Sequence, residues 1–414
     1  MGKLVLLSLL VPAHSTRSPD CGGILTPSGL RYRKWSVLVS QHLPFCSSRN
    51  QIISVKVDKF SLTLIPDTGM RLSIEVDLGI SSAPSSTKEM RLSILADLHV
   101  DMNPEGNLEM VTSDCKPTLE EEQSTEETDS KSSSSDVDKQ INFVNFDSHA
   151  SAPFAAPFPI TPNCQVQYLP LAAPMYSEQG IIISLQTTFQ VAGAAIPLPV
   201  SPVPFSMPEP ARSSPSHLIL AFSEHFYTSL FSALEESGAL NVSLLSSLTT
   251  ATLAERITQM GSLFQEDLPV VLQAVTRSSP HVVLEEDKAI VQLFLTAQIG
   301  AGPSPFQSFL SVNVVGVEAW GLLCCSLFSR DIELSLATSD VGPILAALLE
   351  ELFLPTLREE VPAQINKVLR QGVFLPHIAS FTYTDVNITI HKVTNKTFKL
   401  LPAVLDLKEA WEQC

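Results

Sequence analysis

The sequence predicts an α+β protein in two parts, an antiparallel-strand half and then, beyond a proline-rich strap, a half of strands and long helices. Three observations carry this. Apolar residues recur at every second position in successive runs over residues 51–111, prolines crowd residues 197–215, and apolar residues recur at helical spacing after that crowd. Alternation interrupted by turn residues describes an antiparallel meander. Dense proline favours polyproline II, which forms no ladder hydrogen bonds and makes a natural boundary.

In the first half, Ile53, Val55, Val57 and then Leu62, Leu64 lead to a turn at Asp67-Thr68-Gly69. Leu72, Ile74, Val76, Leu78 and Leu92, Ile94, Ala96, Leu98, Val100 repeat the pattern, with a Ser/Pro loop between them. Glu75, Asp77, Asp97, His99 and Asp101 fall on the opposite parity, which makes them a solvated sheet face rather than a paired-carboxylate site. Residues 116–148 break the pattern with acidic and serine-rich sequence, too poor in apolar area to order, and are expected to be a disordered acidic loop. Cys115 and Cys164 flank this segment and are the pair examined first for a disulfide. Strands resume at Val166, Tyr168 and from Ile181 to Val191.

Beyond the strap, Leu218, Phe222, Phe226, Leu230 and Leu234 step by four toward Gly238, predicting a helix with a Gly stop. Leu253, Ile257, Met260, Leu263 and Phe264 form a second helical patch. Residues 281–299 read as a strand pair turning near Glu286-Asp287, and Ile332, Leu334, Leu336 as a further strand. Residues 342–371 read as a long helix lined by Ile344, Leu348, Leu352 and then Val361, Ile365, Leu369, with Pro355 and Pro362 inside it. Residues 382–390 close the pattern as a strand.

Composition excludes some functions. With 414 residues, 44% hydrophobic and 17% charged, the chain has ample material for cores. Lys+Arg 26 against Asp+Glu 43 gives a net charge of −17. That balance argues against a nucleic-acid partner, which needs a basic stripe, and against docking on anionic lipid by bulk charge. Arg31, Arg33 and Lys34 are the one tight basic cluster. No GxSxG, HExxH, P-loop or GxGxxG motif is present, so no catalytic residue is expected. The seven cysteines show no CxxC and no zinc spacing, so neither a metal nor a cofactor is expected. Vicinal Cys324 and Cys325 read as buried thiols.

The compartment is read from the N-terminus. Met1-Gly2-Lys3, a short apolar run and then Pro12-Ala13-His14-Ser15 have the three parts of a secretory leader, assigned to residues 1–18. The run is far short of the roughly 20 residues that span a bilayer, and no later segment supplies an integral membrane span. Asn241, Asn387 and Asn395 each begin an N-x-[ST] triplet and are expected glycosylation sites of an exported protein.

Several strings then resemble one family. Pro215-Ser-His-Leu-Ile-Leu-Ala-Phe-Ser-Glu-His-Phe-Tyr227, the helix end Glu235-Glu-Ser-Gly-Ala-Leu240, and Val368-Leu-Arg-Gln-Gly-Val-Phe-Leu-Pro-His377 are similar to the BPI/LBP/PLUNC family of lipid-binding proteins. Ala96-Asp-Leu-His-Val-Asp101 and Phe381-Thr-Tyr-Thr-Asp-Val386 are similar to an egg-white member of it. The resemblance implies two BPI-type domains, each an antiparallel barrel sheet plus long helices, in a boomerang that shares a central sheet. The first, residues 19–195, is abbreviated; the strap 196–215 is the linker; the second is 216–414. It implies a secreted, non-enzymatic role in innate defence, with a phospholipid or other amphiphile, bacterial envelope lipid included, as partner. Leu218, Phe222, Phe226, Leu348, Leu352 and Ile365 are then the expected apolar lining. The family's helix bearing a partner for Cys115 has no counterpart in residues 116–148, which leaves Cys115 unpaired or joined to Cys164. A structural or storage glycoprotein with filled pockets is the alternative.

Overall fold

β1 (Cys21–Leu25) enters the middle of a sheet that the chain completes only near its other end. The computed structural model describes residues 18–30, 51–83, 86–104, 106, 108–121, 157–197, 207, 216–286, 288–302, 305–321, 327–370, 385–390 and 403–408. Residues 1–17 of the leader, the basic cluster, Cys324, Cys325 and Asn395 lie outside them.

The predicted meander follows. β2 (Gln51–Ile65), β3 (Gly69–Ala83), β4 (Ser86–Met102) and β5 (Leu108–Glu121) pair antiparallel in chain order. Period-2 alternation sorts the side chains, because successive residues of a strand face opposite sides. Register places Phe60, Ile74 and Ile94 across from one another, and Val57, Val76 and Leu92 likewise. The opposite face carries cross-strand ion pairs: Lys59–Glu75 at 2.9 Å, Arg71–Asp97 at 2.7 Å and Arg91–Asp77 at 2.9 Å. Hydrogen bonding to Arg71 holds the Asp97 carboxyl below its ordinary range. These carboxylates are partners of cations on a solvated face, as the alternation implied.

The acidic loop starts later than expected. Residues 116–121 belong to β5, in register with Met90–Leu95 of β4, and residues 122–148 lie outside the described residues. Cross-strand pairing with an apolar-alternating neighbour outweighs the poor strand composition of that stretch.

β6 (Phe158–Thr161), β7 (Cys164–Pro170), β8 (Met175–Ser177), β9 (Gly180–Val191) and β10 (Ala194–Ala195) come next. With β11 (Leu218–Phe222), β17 (Asp385–Thr389) and β18 (Ala403–Lys408) they form the central sheet, in the order β17-β18-β11-β1-β9-β7-β6. Both sides of the strap therefore contribute strands to one sheet. Residues 218–222 were expected to open a helix. They form β11 instead, paired with β1 and β18, and all five are buried. A strand covered on both faces has no alternation to show, so its apolar run is indistinguishable from a helix start.

The helix begins at Glu224. α1 (Glu224–Glu236) is capped by the Ser223 hydroxyl, which accepts from Phe226 N at 3.2 Å. β12 (Val242–Thr249) leads to two short helices, α2 (Thr250–Ala254) and α3 (Met260–Leu263), where one longer helix was expected. β13 (Pro269–Glu285), β14 (Lys288–Ala301), β15 (Gln307–Gly321) and β16 (Leu327–Ser339) then join β12 in a five-stranded sheet, in chain order.

α4 (Ala346–Leu369) contacts β16 and also β12, the two edges of that sheet. A helix of 24 residues is about 36 Å long, enough to reach from one edge of the sheet to the other. Leu349, Phe353, Leu357, Val361 and Ile365 form its buried stripe, each four residues from the next. Leu348 and Leu352 were expected on that stripe; they flank it, half-buried. Around Glu350 and Glu351, both Leu348 with Leu352 and Leu349 with Phe353 make apolar stripes, and contact with the sheet selects the one that continues into Val361 and Ile365. Phe353→Ala is expected to lower unfolding free energy by about 3–5 kcal/mol, and Leu348→Ala, at a half-buried position, by less than the roughly 2–5 kcal/mol of a buried leucine. Denaturant titration checks this, and equal losses would contradict the assigned helix phase.

Candidate functional site

Two features set apart from ordinary core packing stand out: a small cavity where the halves meet, and the apolar face of the four-stranded sheet.

The cavity lies beside a buried polar knot. Asp20, 2% exposed, accepts a hydrogen bond from Thr187 N at 2.9 Å and another from the Thr187 hydroxyl. Its backbone N–H donates to Leu185 O at 3.1 Å, and its carbonyl accepts from Ser223 N at 2.8 Å. One residue thus ties β1 to β9 and to the cap of α1. His225, the second residue of α1, brings Nδ1 to 3.8 Å from the Asp20 carboxylate. At the other end of β1, the Thr26 hydroxyl donates to Ser216 O, and Gly29 approaches so closely that an added Cβ would stand 2.1 Å from His217 O. Only glycine fits there.

Beside this knot, Thr187, Phe189, Ile196, Pro197 and Ser229 line a cavity of about 110 Å³, together with Gln186 and Thr188. None of the lining residues is charged. Ser229 Oγ is buried and has no hydrogen-bond partner among the described residues. A buried hydroxyl in that state is costly unless something polar fills the space. The volume suits a few waters or the end of a chain, well short of the roughly 300 Å³ and more of an enclosed ligand site.

The six expected lining residues divide into two groups. Phe222 and Phe226 come together at the junction, 2% and 4% exposed, with their rings 4.7 Å apart and Phe189 6.0 Å from Phe226, whereas Leu218, 3% exposed, lies at the far end of β11 opposite Leu25. Ile365 is 1% exposed on α4, and Leu348 and Leu352 are half-buried there. None of the six lines the small cavity.

The four-stranded sheet behaves differently. Its end nearest the central sheet joins the main core through Met70 and Leu108, and Val100 N donates to the Tyr176 hydroxyl at 2.6 Å. Farther out, Val76 and Leu78 form a separate cluster with Ile74, Met90 and Leu92 packed half-buried against it. Val57, in register with Val76, is 38% exposed. Val76 and Leu78 are 9% and 8% exposed, so the centre of that face is buried while its margin at Val57 is not. The alternating pattern announced the face, but only the structure shows that its outer part stands apart from the core. The cavity had weaker warning, in Thr187 interrupting an otherwise apolar parity on β9.

The thiol pairing needs correction. Cys115 is exposed on β5 opposite Ala96, whereas Cys164 is fully buried on β7 in the central sheet, and both are free. Flanking the same low-complexity segment does not bring its ends together when they start on different sheets. Burial pushes the Cys164 thiol up to about 11, and the Cys21 thiol also rises through burial, aided by neighbouring Asp20. Among the described residues no group of three or more His, Cys, Asp or Glu is placed to hold a metal, and no helix is long and apolar enough to cross a membrane.

A curled antiparallel sheet closed by a long helix, joined through a shared central sheet to a second strand-built unit, defines the class. The chain belongs to the LBP/BPI/CETP family, whose C-terminal-domain model matches residues 161–395. It is similar to Protein TENP of Gallus gallus, 50% identical over 97% of this chain and 98% of that one. BPI fold-containing family B member 2 of Homo sapiens is 24% identical over 56% of this chain and 55% of its own. A crystal structure of lipopolysaccharide binding protein aligns with a TM-score of 0.45 at 15% identity, over 95% of this chain and 99% of that one.

The thiol assignment has a direct check. Native labelling with a thiol reagent at pH 8, followed by peptide mapping, is expected to modify Cys115 and to spare Cys21 and Cys164 until the protein is unfolded. A thiol titrating near 11 is only about one part in a thousand thiolate at that pH. A Cys115 that reacts only after reduction would contradict the assignment.

Proposed function

We propose that this is a secreted, non-enzymatic protein that holds a phospholipid or other amphiphile against the outer apolar face of its four-stranded sheet, in the service of innate defence. The observation that carries the reading is an apolar cluster separate from the main core, with Val76 and Leu78 buried at its centre and Ile74, Met90 and Leu92 half-buried around them. A patch of this kind gains about 25 cal/mol for each Å² that an acyl chain removes from water. Family membership supports the lipid class of the guest. The net charge of −17 favours a zwitterionic or uncharged guest over a polyanionic one, since phosphates of an anionic surface are repelled. Export is supported by the leader pattern of residues 1–18. An antibacterial role would act by sequestering envelope lipid within that charge limit.

The storage or structural reading has an observation of its own. Around α4 and the five-stranded sheet, Leu293, Leu295, Phe309, Leu349 and Phe353 are all 2% exposed or less, so side chains fill that interior. On this reading the fold persists and its guest does not.

Equilibrium binding of a fluorescent fatty probe separates the two. Ile74→Asp places a carboxylate on the apolar face and is expected to weaken binding at least about tenfold, or about 1.4 kcal/mol. Leu95→Asp, on the other face of the same sheet, is expected to bind as wild type. Equal effects of the two variants, or no binding by the wild type, would contradict the carrier reading.

A further inference from the structure

We propose that Asn241 carries an N-linked oligosaccharide, at the turn between α1 and the edge strand β12. Three triplets of the acceptor pattern occur in the sequence, and the structure sets them apart. Asn387 lies within β17, its backbone in register with Asp406 of β18, and Asn395 lies outside the described residues. Asn241 stands in a turn with its side chain exposed; Ser243, which completes the triplet, is exposed too, and Val242 between them is 8% exposed and anchors the turn. Acceptor asparagines belong on such surface turns.

Local geometry presents the amide. Gly238 ends α1 with φ at 73°, and its carbonyl accepts from Asn241 N at 3.1 Å. Because Gly238 has no Cβ, the Asn241 amide has room beside it; an added Cβ would stand 3.3 Å from Nδ2. The surroundings also give a glycan something to do. β12 is the terminal strand of its sheet, and Leu245 on its outward parity is 69% exposed. An apolar side chain on an edge strand invites pairing with other chains, and a bulky hydrated group four residues away obstructs it.

The step is a group transfer. The Asn241 amide nitrogen forms a bond to the anomeric carbon of a lipid-pyrophosphate-linked oligosaccharide. The bond from that carbon to the pyrophosphate oxygen breaks, the lipid pyrophosphate leaves, and one amide proton passes to the transferase's base. This inference rests on the export reading, because the donor is met only in the secretory pathway.

The test uses the full chain with its own N-terminus, expressed in animal cells, with medium and cytosol collected separately. Peptides are mapped after N-glycosidase digestion in ¹⁸O water, which marks each released site as labelled Asp. The expected result is label at Asn241 in protein from the medium, with Asn241→Gln and Ser243→Ala each losing one glycan-sized step in gel mobility. The two variants differ in which side chain is changed, and the intracellular secretory pool reports the same step where export is impaired. Exported protein with a bare Asn241 overturns the inference and leaves export standing. A chain retained in the cytosol without label overturns both.

Discussion

β1 is the constraint on which the structure depends. Its five residues are buried on both faces and paired on both edges, with β9 on one side and β11 on the other. A segment so short cannot be stable alone, and its neighbours come from opposite sides of the proline strap. Removing it would expose the backbone groups of both neighbours, and buried unpaired groups of that kind are costly. Asp20 strengthens the arrangement from the head of the strand, because its carboxylate, carbonyl and N–H reach Thr187, Ser223 and Leu185 at once. The two halves are therefore coupled through a strand that belongs topologically to the first.

From that junction the two sheets meet different ends. The five-stranded sheet curls about α4 and fills its interior with side chains. The four-stranded sheet keeps one end in the main core and leaves its outer apolar cluster apart. Sequence reasoning favoured a guest in the helix-rich half, since long apolar stripes were visible there. Those stripes mostly meet their own sheet, as Leu218, Phe222, Phe226 and Ile365 show. The apolar cluster that stands apart from the main core lies instead on the strands of the four-stranded sheet.

Much of this was legible in the residues. Alternation located β2 to β5, β9, β13 and β14 because each of those strands has one covered and one wetter face. Where both faces are covered, as in β11, the code disappears, and Leu218 to Phe222 passed for a helix turn. The α4 stripe slipped by one residue because Leu348, Leu349, Leu352 and Phe353 are all apolar, and only contact with the sheet distinguishes them. Spatial neighbours drawn from distant segments left no trace in the sequence. Asp20 with Thr187, the orphan hydroxyl of Ser229, and the separation of Cys115 from Cys164 are properties of the assembled sheets.

Native-state hydrogen exchange across the strap tests the coupling most directly. If β1 joins the halves into one cooperative unit, the amides of Cys21–Leu25 exchange in the slowest class, together with those of Leu218–Phe222 and with β14 in the five-stranded sheet. Early exchange of Cys21–Leu25, completed while β14 stays protected, would show that the halves open independently and would contradict the account.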